Sequence, residues 1–225
     1  MEHACIMCSI KSNAIEKLNE DELKMLAHNC ASLQFKAGDL IIKQDSFSTN
    51  VAFIKKGLVK IHTRGPAKEK ILNIKKSPAY ICLPSSLGDK VNHFSVTALE
   101  DTEICFIDLL TFKKFIYENG DFAYQIIMDL SKANLSNSHN CLNNAQKQNV
   151  GRVADAILFF AKEIYNSDNF ILPLSRQDLA DLTGITRESV SRILSDFHDN
   201  RIININMRNI TILNEALLYQ ISEKG

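Results

Sequence analysis

The spacing of apolar residues changes along the chain and indicates where its kinds of structure begin and end. Between residues 33 and 108, short apolar runs recur every eight to twelve residues, and glycine or proline separates them. The clearest runs lie at residues 40–42, 51–54, 58–61, 71–74, 80–83, 94–96 and 104–107. Short strands at this spacing are typical of an antiparallel sandwich or roll, so we expect a β-roll here.

A helical period replaces this pattern after Gly120. Five side chains form its stripe: Phe122, Ile126, Ile127, Leu130 and Ala133. Further along the same helix, asparagine stands where leucine is expected, at Asn134, Asn137, Asn140, Asn143 and Asn144. A polar seam of this kind fixes the register of paired helices at some cost in stability, whereas a solvated connector needs no partner. A second helix is predicted for residues 148–165, and a loop for residues 166–169.

Residues 174–197 carry the most specific pattern in the chain, which is that of a helix-turn-helix. Ser175 is placed to cap the first helix, with Asp178 three residues later. Gly184 stands where the tight turn between the helices needs a positive φ. Thr186 is placed to cap the second helix.

The second of these helices has a polar outer face. Val190, Ile193 and Leu194 face inward at helical spacing. The residues left facing outward are Arg187, Glu188, Ser191 and Arg192. Arginine donates to guanine O6 and N7, and glutamate accepts from cytosine N4, so this face suits base edges in a DNA major groove. An ordinary helical hairpin explains the small residues and the glycine, but not this outward set.

A β-hairpin is predicted after the second helix, because apolar and polar residues alternate at 202–206 and 210–212 around a turn at 207–209. It would form the wing of a winged helix-turn-helix. The expected DNA-contacting residues are Ser175, Arg176, Thr186, Arg187, Glu188, Ser191, Arg192 and Arg208.

Composition limits the possible functions. The chain has 225 residues, enough for two domains, and its 26 Lys and Arg balance 26 Asp and Glu. DNA affinity must therefore come from a local basic stripe. With no run of eighteen apolar residues and no signal-peptide pattern, we expect no membrane span and a cytoplasmic location. No Ser-His-Asp order, glycine-framed carboxylate pair or phosphate-cradling loop occurs, so we do not expect an enzyme.

The succession of roll, long helix and winged helix-turn-helix resembles the Crp/Fnr family of bacterial transcription regulators. Segments at 35–39, 54–60, 99–107 and 174–194 carry the resemblance. It implies an α+β fold with an N-terminal, jelly-roll-like β-roll sensor domain, a long dimerisation helix and a C-terminal winged helix-turn-helix. It also implies a homodimer on a palindromic operator in double-stranded DNA, with RNA polymerase as a further partner.

On this resemblance we divide the chain into four parts. These are an N-terminal, cysteine-containing arm (1–20), the β-roll sensor domain (21–118), the dimerisation helix (119–146) and the winged helix-turn-helix (147–225). Arg187, Glu188 and Arg192 resemble the base-reading residues of the cyclic-AMP receptor branch, and Glu188, Ser191 and Arg192 resemble those of the Fnr branch. Both sets imply a guanine-containing half-site.

Cyclic AMP is not the expected signal. The cyclic-AMP receptor branch holds the phosphate with a Gly-Glu-Leu segment and an Arg-Ser pair. The matching stretches here, 81–88 and 93–98, contain no arginine and no glutamate. A phosphodiester buried in the roll needs a charged partner. A different small effector in the roll would meet Cys82, Leu83, Ser85 and His93.

An iron–sulfur cluster and a haem are the alternative cofactors. Cys5 and Cys8 resemble the first two cluster ligands of the Fnr branch, and Cys105 matches its distant ligand, but Ala14 stands at the third position. Four thiolates are usual, and spacing favours no substitute among His3, Cys30 and Cys82. Haem would need an axial ligand such as His62, His93 or His139. We therefore expect a DNA-binding regulator that senses a small molecule or a redox signal, or that acts without an effector.

Overall fold

The computed structural model describes residues 10–65 and 68–225. The chain divides into two compact units. The first holds the chain up to Arg64 together with Leu72–Leu135, and the second holds Gly65–Ile71 together with Ser136–Gly225. The described part contains no helix that is long and apolar enough to cross a membrane.

The first unit begins with a short 3-10 turn and a capped helix. The turn is Ile15–Lys17, and the helix α1 is Glu20–His28. Asn19 caps α1, because its side chain accepts from the backbone N–H of Glu22 while the Glu22 carboxylate accepts from the N–H of Asn19. This reciprocal pair satisfies two donors at the start of the helix.

Eight strands follow in the described residues of this unit; seven of them overlap the predicted apolar runs, and the sequence pattern missed the first. They are β1 (Cys30–Phe35), β2 (Leu40–Ile42), β3 (Asn50–Lys56), β4 (Leu58–Arg64), β5 (Glu69–Lys76), β6 (Ala79–Ile81), β7 (Ser95–Ala98) and β8 (Thr102–Asp108), with the short helix α2 (Leu83–Leu87) between β6 and β7. One sheet has the order β1-β8-β3-β6, and the other has the order β2-β7-β4-β5. Aliphatic side chains such as Ile54, Val59, Val96 and Ile104 form one buried cluster.

A helical cluster covers the outer side of the first sheet. It involves α3 (Leu109–Glu118) and the long helix α4 (Gly120–Gln146). Phe112 and Phe115 from α3 pack with Phe122 and Ile126 from α4, and Ile107 of β8 belongs to the same cluster. Of the stripe predicted for α4, Phe122 and Ile126 are buried in this core and Leu130 packs against it, but the prediction was wrong for Ile127, which is 57% exposed.

The second unit contains the predicted helix-turn-helix and wing. Its elements are α5 (Asn149–Phe159), a π-helical turn (Phe160–Tyr165), β9 (Asn169–Ile171), α6 (Arg176–Thr183), α7 (Arg187–Asp199), β10 (Ile203–Asn206), β11 (Asn209–Ile212) and α8 (Glu215–Lys224). The wing is three-stranded, in the order β10-β11-β9. The sequence pattern predicted only two of these three strands. The predicted loop at 166–169 was wrong at Asn169, which begins β9 and pairs with Thr211 of β11.

The turn between β3 and β4 depends on Gly57, which has a φ of +103°. A Cβ atom at this position would lie 2.8 Å from the Cα atom of Thr102, a fully buried residue. We expect Gly57→Ala to lower the free energy of unfolding by about 2–4 kcal/mol, because it adds a backbone clash to an unfavourable φ. Chemical denaturation measures this change.

Gly38 provides the matched control for that substitution. Its φ is +94°, but a Cβ atom there would meet nothing within 4 Å. Gly38→Ala should therefore cost only the backbone strain, about 1 kcal/mol. Equal losses in the two variants would contradict the role assigned to the Thr102 contact.

Candidate nucleic-acid interface

The helix α6 is fixed at its N-terminus by Ser175. The Ser175 hydroxyl accepts from the N–H of Asp178 at 3.0 Å, and the Asp178 carboxylate accepts from the N–H of Ser175, also at 3.0 Å. The predicted cap is confirmed in both directions. Leu179 and Ala180 are fully buried, so this cap sets the direction in which α6 enters the core of the unit.

The turn between α6 and α7 adopts the geometry that the sequence predicts. Gly184 has a φ of +74°, and Thr186 caps α7 by accepting from the N–H of Ser189. Arg152, on α5, holds the preceding end of α6 by donating to the carbonyl of Thr183 at 3.0 Å. Sequence reasoning missed Arg152, because the two residues are 31 positions apart and no local pattern links them.

The helix α7 is divided lengthwise between a buried side and an exposed side. Its buried residues are Val190, Ile193, Leu194 and Phe197. Arg187, Glu188, Ser191 and Arg192 are all exposed, as the sequence predicts. The outer edge of α7 thus offers two guanidinium groups, a carboxylate and a hydroxyl within six residues of chain.

The other predicted DNA-contacting residues lie on three elements around α7. Thr186 and Arg208 are exposed, the latter next to the wing turn at Met207. Ser175 and Arg176, at the start of α6, are half-buried. Among the described residues, the structure shows no ion pair for Arg176. Its partial burial lowers the pKa of the guanidinium.

Three nearby aspartates do not lie among the exposed residues of the N-terminal half of α7. Asp181 is buried and accepts a hydrogen bond from Gln177 at 2.9 Å. Asp196 and Asp199 are exposed but lie in the second half of α7, beyond the four outward residues named above. The positive charge on the N-terminal half of α7 is therefore local, in agreement with a chain of zero net charge.

The four residues of the predicted effector pocket are divided between core and surface. Cys82, Leu83 and Ser85 are buried, whereas His93 is exposed and its Nε2 lies 2.8 Å from the Asp89 carboxylate. The backbone N–H of His93 donates to the Ser85 hydroxyl at 3.4 Å. Three of the four predicted residues are thus buried and one is exposed, so they do not form one exposed face.

Apolar and hydrogen-bonded side chains fill the described part of the roll that corresponds to a nucleotide-binding segment. Its buried cluster consists of apolar side chains, and the neighbouring buried Ser86 is engaged with Ser48 at 2.7 Å and with the Asn50 carbonyl at 3.1 Å. Lys90, the one lysine in the stretch where the phosphate would bind, is exposed. No cationic group in the described part of this stretch reaches the roll core to meet a phosphate charge.

The described residues also do not complete a metal site. They contain no group of three or more His, Cys, Asp or Glu side chains that could hold a metal ion. Ala14, at the third position of the cluster motif, is fully buried. Cys105 lies half-buried on β8, and Cys5 and Cys8 lie outside the described residues.

The three histidines considered for haem lie apart from one another. His62 Nε2 hydrogen-bonds Thr97 Oγ1 at 2.9 Å on neighbouring strands of the roll. His93 pairs with Asp89, and His139 is exposed on α4. None of the three is fully buried, since His62 is half-buried and His93 and His139 are exposed.

Comparison with known families matches both units of the chain. Residues 151–221 match the model of a Crp-like helix-turn-helix domain, and residues 32–119 match that of a cyclic nucleotide-binding domain. The chain is 25% identical to the nitrogen fixation regulation protein FixK of Bradyrhizobium diazoefficiens, covering 95% of this chain and 92% of that protein.

Two further relatives extend this comparison. The chain is 24% identical to the fumarate and nitrate reduction regulatory protein of Vibrio cholerae, over 97% of this chain and 90% of that protein. Its fold is similar to that of FixK2 from Bradyrhizobium japonicum, with a TM-score of 0.77 and 20% identity over 85% of this chain and 96% of the other. Both sequence relatives carry names of regulatory proteins.

The cap at Ser175 yields a stability prediction. Ser175→Ala removes the acceptor for the Asp178 N–H and should lower the free energy of unfolding of the second unit by about 1 kcal/mol. Thermal or chemical unfolding measures this loss. Ser195, exposed in the middle of α7, gives the control, since Ser195→Ala removes a hydroxyl without removing a cap. Equal effects of the two substitutions would contradict the capping role.

Proposed function

We propose that this chain, which belongs to the Crp/Fnr family of DNA-binding transcription regulators, acts as a homodimer on a palindromic operator. In the dimer, the two α7 helices would enter successive major grooves on one side of the duplex, one helical turn apart. The observation that carries this proposal is that α7 has one buried, apolar side and one exposed, polar side. Its apolar side is buried, while Arg187, Glu188, Ser191 and Arg192 are exposed together.

The exposed groups of α7 match the chemistry of base edges. The two guanidinium groups suit guanine O6 and N7, and the Glu188 carboxylate suits the amino group of cytosine. Arginines on neighbouring elements suit the phosphates of the DNA backbone. Arg208 on the wing and Arg176 at the start of α6 are charged but do not belong to the outward face of α7. We therefore assign Arg208 and Arg176 to phosphates, and the α7 set to bases.

Dimerisation is supported by a second apolar stripe on α4. Phe122 and Ile126 are buried on one side of this helix. Tyr124, Leu135 and Leu142 fall on the opposite side at helical spacing, and their exposed fractions are 59%, 61% and 51%. A helix with apolar residues on both sides needs a second surface to cover the exposed one, and a second copy of α4 provides it.

The signal is proposed to be other than cyclic AMP. The apolar cluster of the roll and the exposed position of Lys90 support this proposal. We propose that a small molecule or a redox change in the first unit biases the pairing of α4 in the dimer. Such a signal acts only if it stabilises one arrangement of the dimer more than the other.

The proposed location of this chain in the cell follows from its DNA partner. A regulator of this kind works on chromosomal DNA, so we propose that the chain acts in the cytoplasm. RNA polymerase is the expected second partner at the promoter. Because net charge is zero, we also expect weak binding to unrelated DNA and a shallow dependence of affinity on salt.

Substitution of the α7 arginines tests base reading. On an operator recovered from a random duplex pool, Arg187→Ala and Arg192→Ala should each weaken binding by about 1–3 kcal/mol per lost base contact. Fluorescence anisotropy with operator and scrambled duplexes measures the change. Arg192→Lys is the matched control, because it keeps the charge but loses the planar fork, and it should lose operator preference while keeping most binding to scrambled DNA. Unchanged operator affinity in both alanine variants would contradict the assignment.

A charge in the exposed stripe of α4 tests dimerisation. Leu135→Glu should raise the dimer dissociation constant by about 100-fold or more, because the exposed leucine would otherwise be buried in both protomers. Light scattering over a dilution series measures this effect. Leu110→Glu is the control, since Leu110 is 74% exposed on α3, outside the stripe. If both variants dimerise as the parent chain does, α4 is not the dimer interface.

A further inference from the structure

The chain changes direction between α4 and α5 over a short joint. The backbone hydrogen bond that ends α4 runs from the N–H of Lys147 to the carbonyl of Asn143, at 3.0 Å. The first one of α5 runs from the N–H of Arg152 to the carbonyl of Gln148, at 3.1 Å. Gln148 itself is extended, with a ψ of 165°, and its side chain does not cap α5. Lys147 and Gln148 therefore form the joint between the two helices.

One ion pair spans this joint. The Lys147 Nζ atom donates to both carboxylate oxygens of Asp155, at 2.8 and 2.6 Å, and Asp155 lies on the second turn of α5. Both side chains are largely shielded from water, with exposed fractions of 20% for Lys147 and 29% for Asp155. Water and salt screen a shielded pair less than an exposed one, so this contact holds the joint more firmly than a surface ion pair would.

The Asp155 carboxylate is also held from its other side, by α8. The Ser222 hydroxyl donates to this carboxylate, and Ser222 is buried. The position of the carboxylate therefore does not depend on Lys147 alone. Because Lys147 binds an acceptor that is fixed in the second unit, its side chain fixes the end of α4 relative to α5.

The helix α5 connects the joint to the helix-turn-helix. It packs against α6 and α7, and its Arg152 donates to the Thr183 carbonyl at the end of α6 at 3.0 Å. On the other side of the joint, α4 belongs to the same unit from Ser136 onward and carries Leu142 of the exposed stripe. The joint thus lies between the helix that is proposed to pair with its copy and the helix that is proposed to read bases.

We propose that the Lys147–Asp155 pair determines which spacing of operator half-sites the dimer accepts. This inference rests on the proposed function, in which paired α4 helices hold two α7 helices against one duplex. The angle at each joint then sets the separation of the two α7 helices, and half-site spacing must match that separation. Lys147 and Asp155 are positioning residues, because they act on the DNA only through α7.

A small change of angle at the joint is enough to alter the spacing. The helix α5 has 11 residues, so it spans about 16 Å at a rise of 1.5 Å per residue. A rotation of about 6° at the joint moves its far end by about 1.7 Å. Two protomers that move in opposite directions change the separation by about 3.4 Å, which is one base-pair step of the duplex. An ion pair that restricts this rotation therefore favours one spacing over its neighbours.

Duplexes that differ only in spacer length test the proposal on the whole chain. Half-sites recovered from a random pool are built into inverted repeats whose spacers are lengthened or shortened one base pair at a time. Fluorescence anisotropy measures the affinity for each duplex and for a single half-site. The parent chain should prefer one spacer over its neighbours by about tenfold or more.

Lys147→Met removes the ammonium group and keeps much of the length of the side chain. The preference for one spacer should fall to about threefold or less, because the joint then rotates more freely. Affinity for a single half-site should stay within about twofold of the parent value, because the exposed face of α7 is unchanged. Light scattering checks that the variant is still a dimer.

Lys162 provides the matched control in the same unit. Its Nζ atom lies 2.9 Å from the Asp168 carboxylate and 2.8 Å from that of Glu215, with 31% of the side chain exposed. Lys162→Met therefore removes a comparable pair of contacts that does not span the joint, and it should keep the parent preference. Lys147→Arg should keep the preference as well, since a guanidinium also binds a carboxylate through two hydrogen bonds.

A charge swap separates the ion pair from the stability of the fold. Lys147→Glu should abolish the spacer preference, and adding Asp155→Lys to it should restore part of that preference. Chemical denaturation identifies any variant that folds poorly. Poor folding weakens binding to every duplex alike, including the single half-site, so it does not imitate a loss of preference between spacers.

The outcomes separate this inference from the proposed function. If Lys147→Met and Lys147→Glu keep the parent preference, or if Lys162→Met loses it equally, the joint does not set the spacing and this inference is overturned alone. If the parent chain shows no preference among spacers, the proposed function is overturned and this inference with it.

Discussion

The account depends on how α7 is held. Val190, Ile193 and Leu194 bury one side of the helix, and the turn at Gly184 and the Thr186 cap fix where it begins. Burial of these aliphatic side chains, at about 1.5–3 kcal/mol each, fixes which side of the helix faces outward. The outward residues contribute little to the core, so they are free to serve recognition. Packing therefore determines which side chains of α7 are available for recognition.

The long helix α4 connects the two halves of the proposed mechanism. One side of it belongs to the aromatic cluster around Phe112 and Phe122, and the other carries exposed apolar residues such as Leu135. Because a close-packed core transmits small shifts, a change in the first unit that displaces the buried side of α4 would also displace its exposed side.

Local signals in the sequence predicted most of the fold and the interface. The caps at Ser175 and Thr186 and the glycine turn at Gly184 depend on residues within a few positions of each other, and all were confirmed. The contacts that sequence reasoning missed are long-range, such as the third wing strand and the contact of Arg152 with α6.

Selection of duplexes from a random pool tests the central claim most directly. If paired α7 helices read DNA, the enriched sequence should be an inverted repeat of two guanine-containing half-sites, with centres about 10 base pairs apart, bound by two protomers. Enrichment of a single unrepeated site bound by one protomer, or of no sequence at all, would contradict the account.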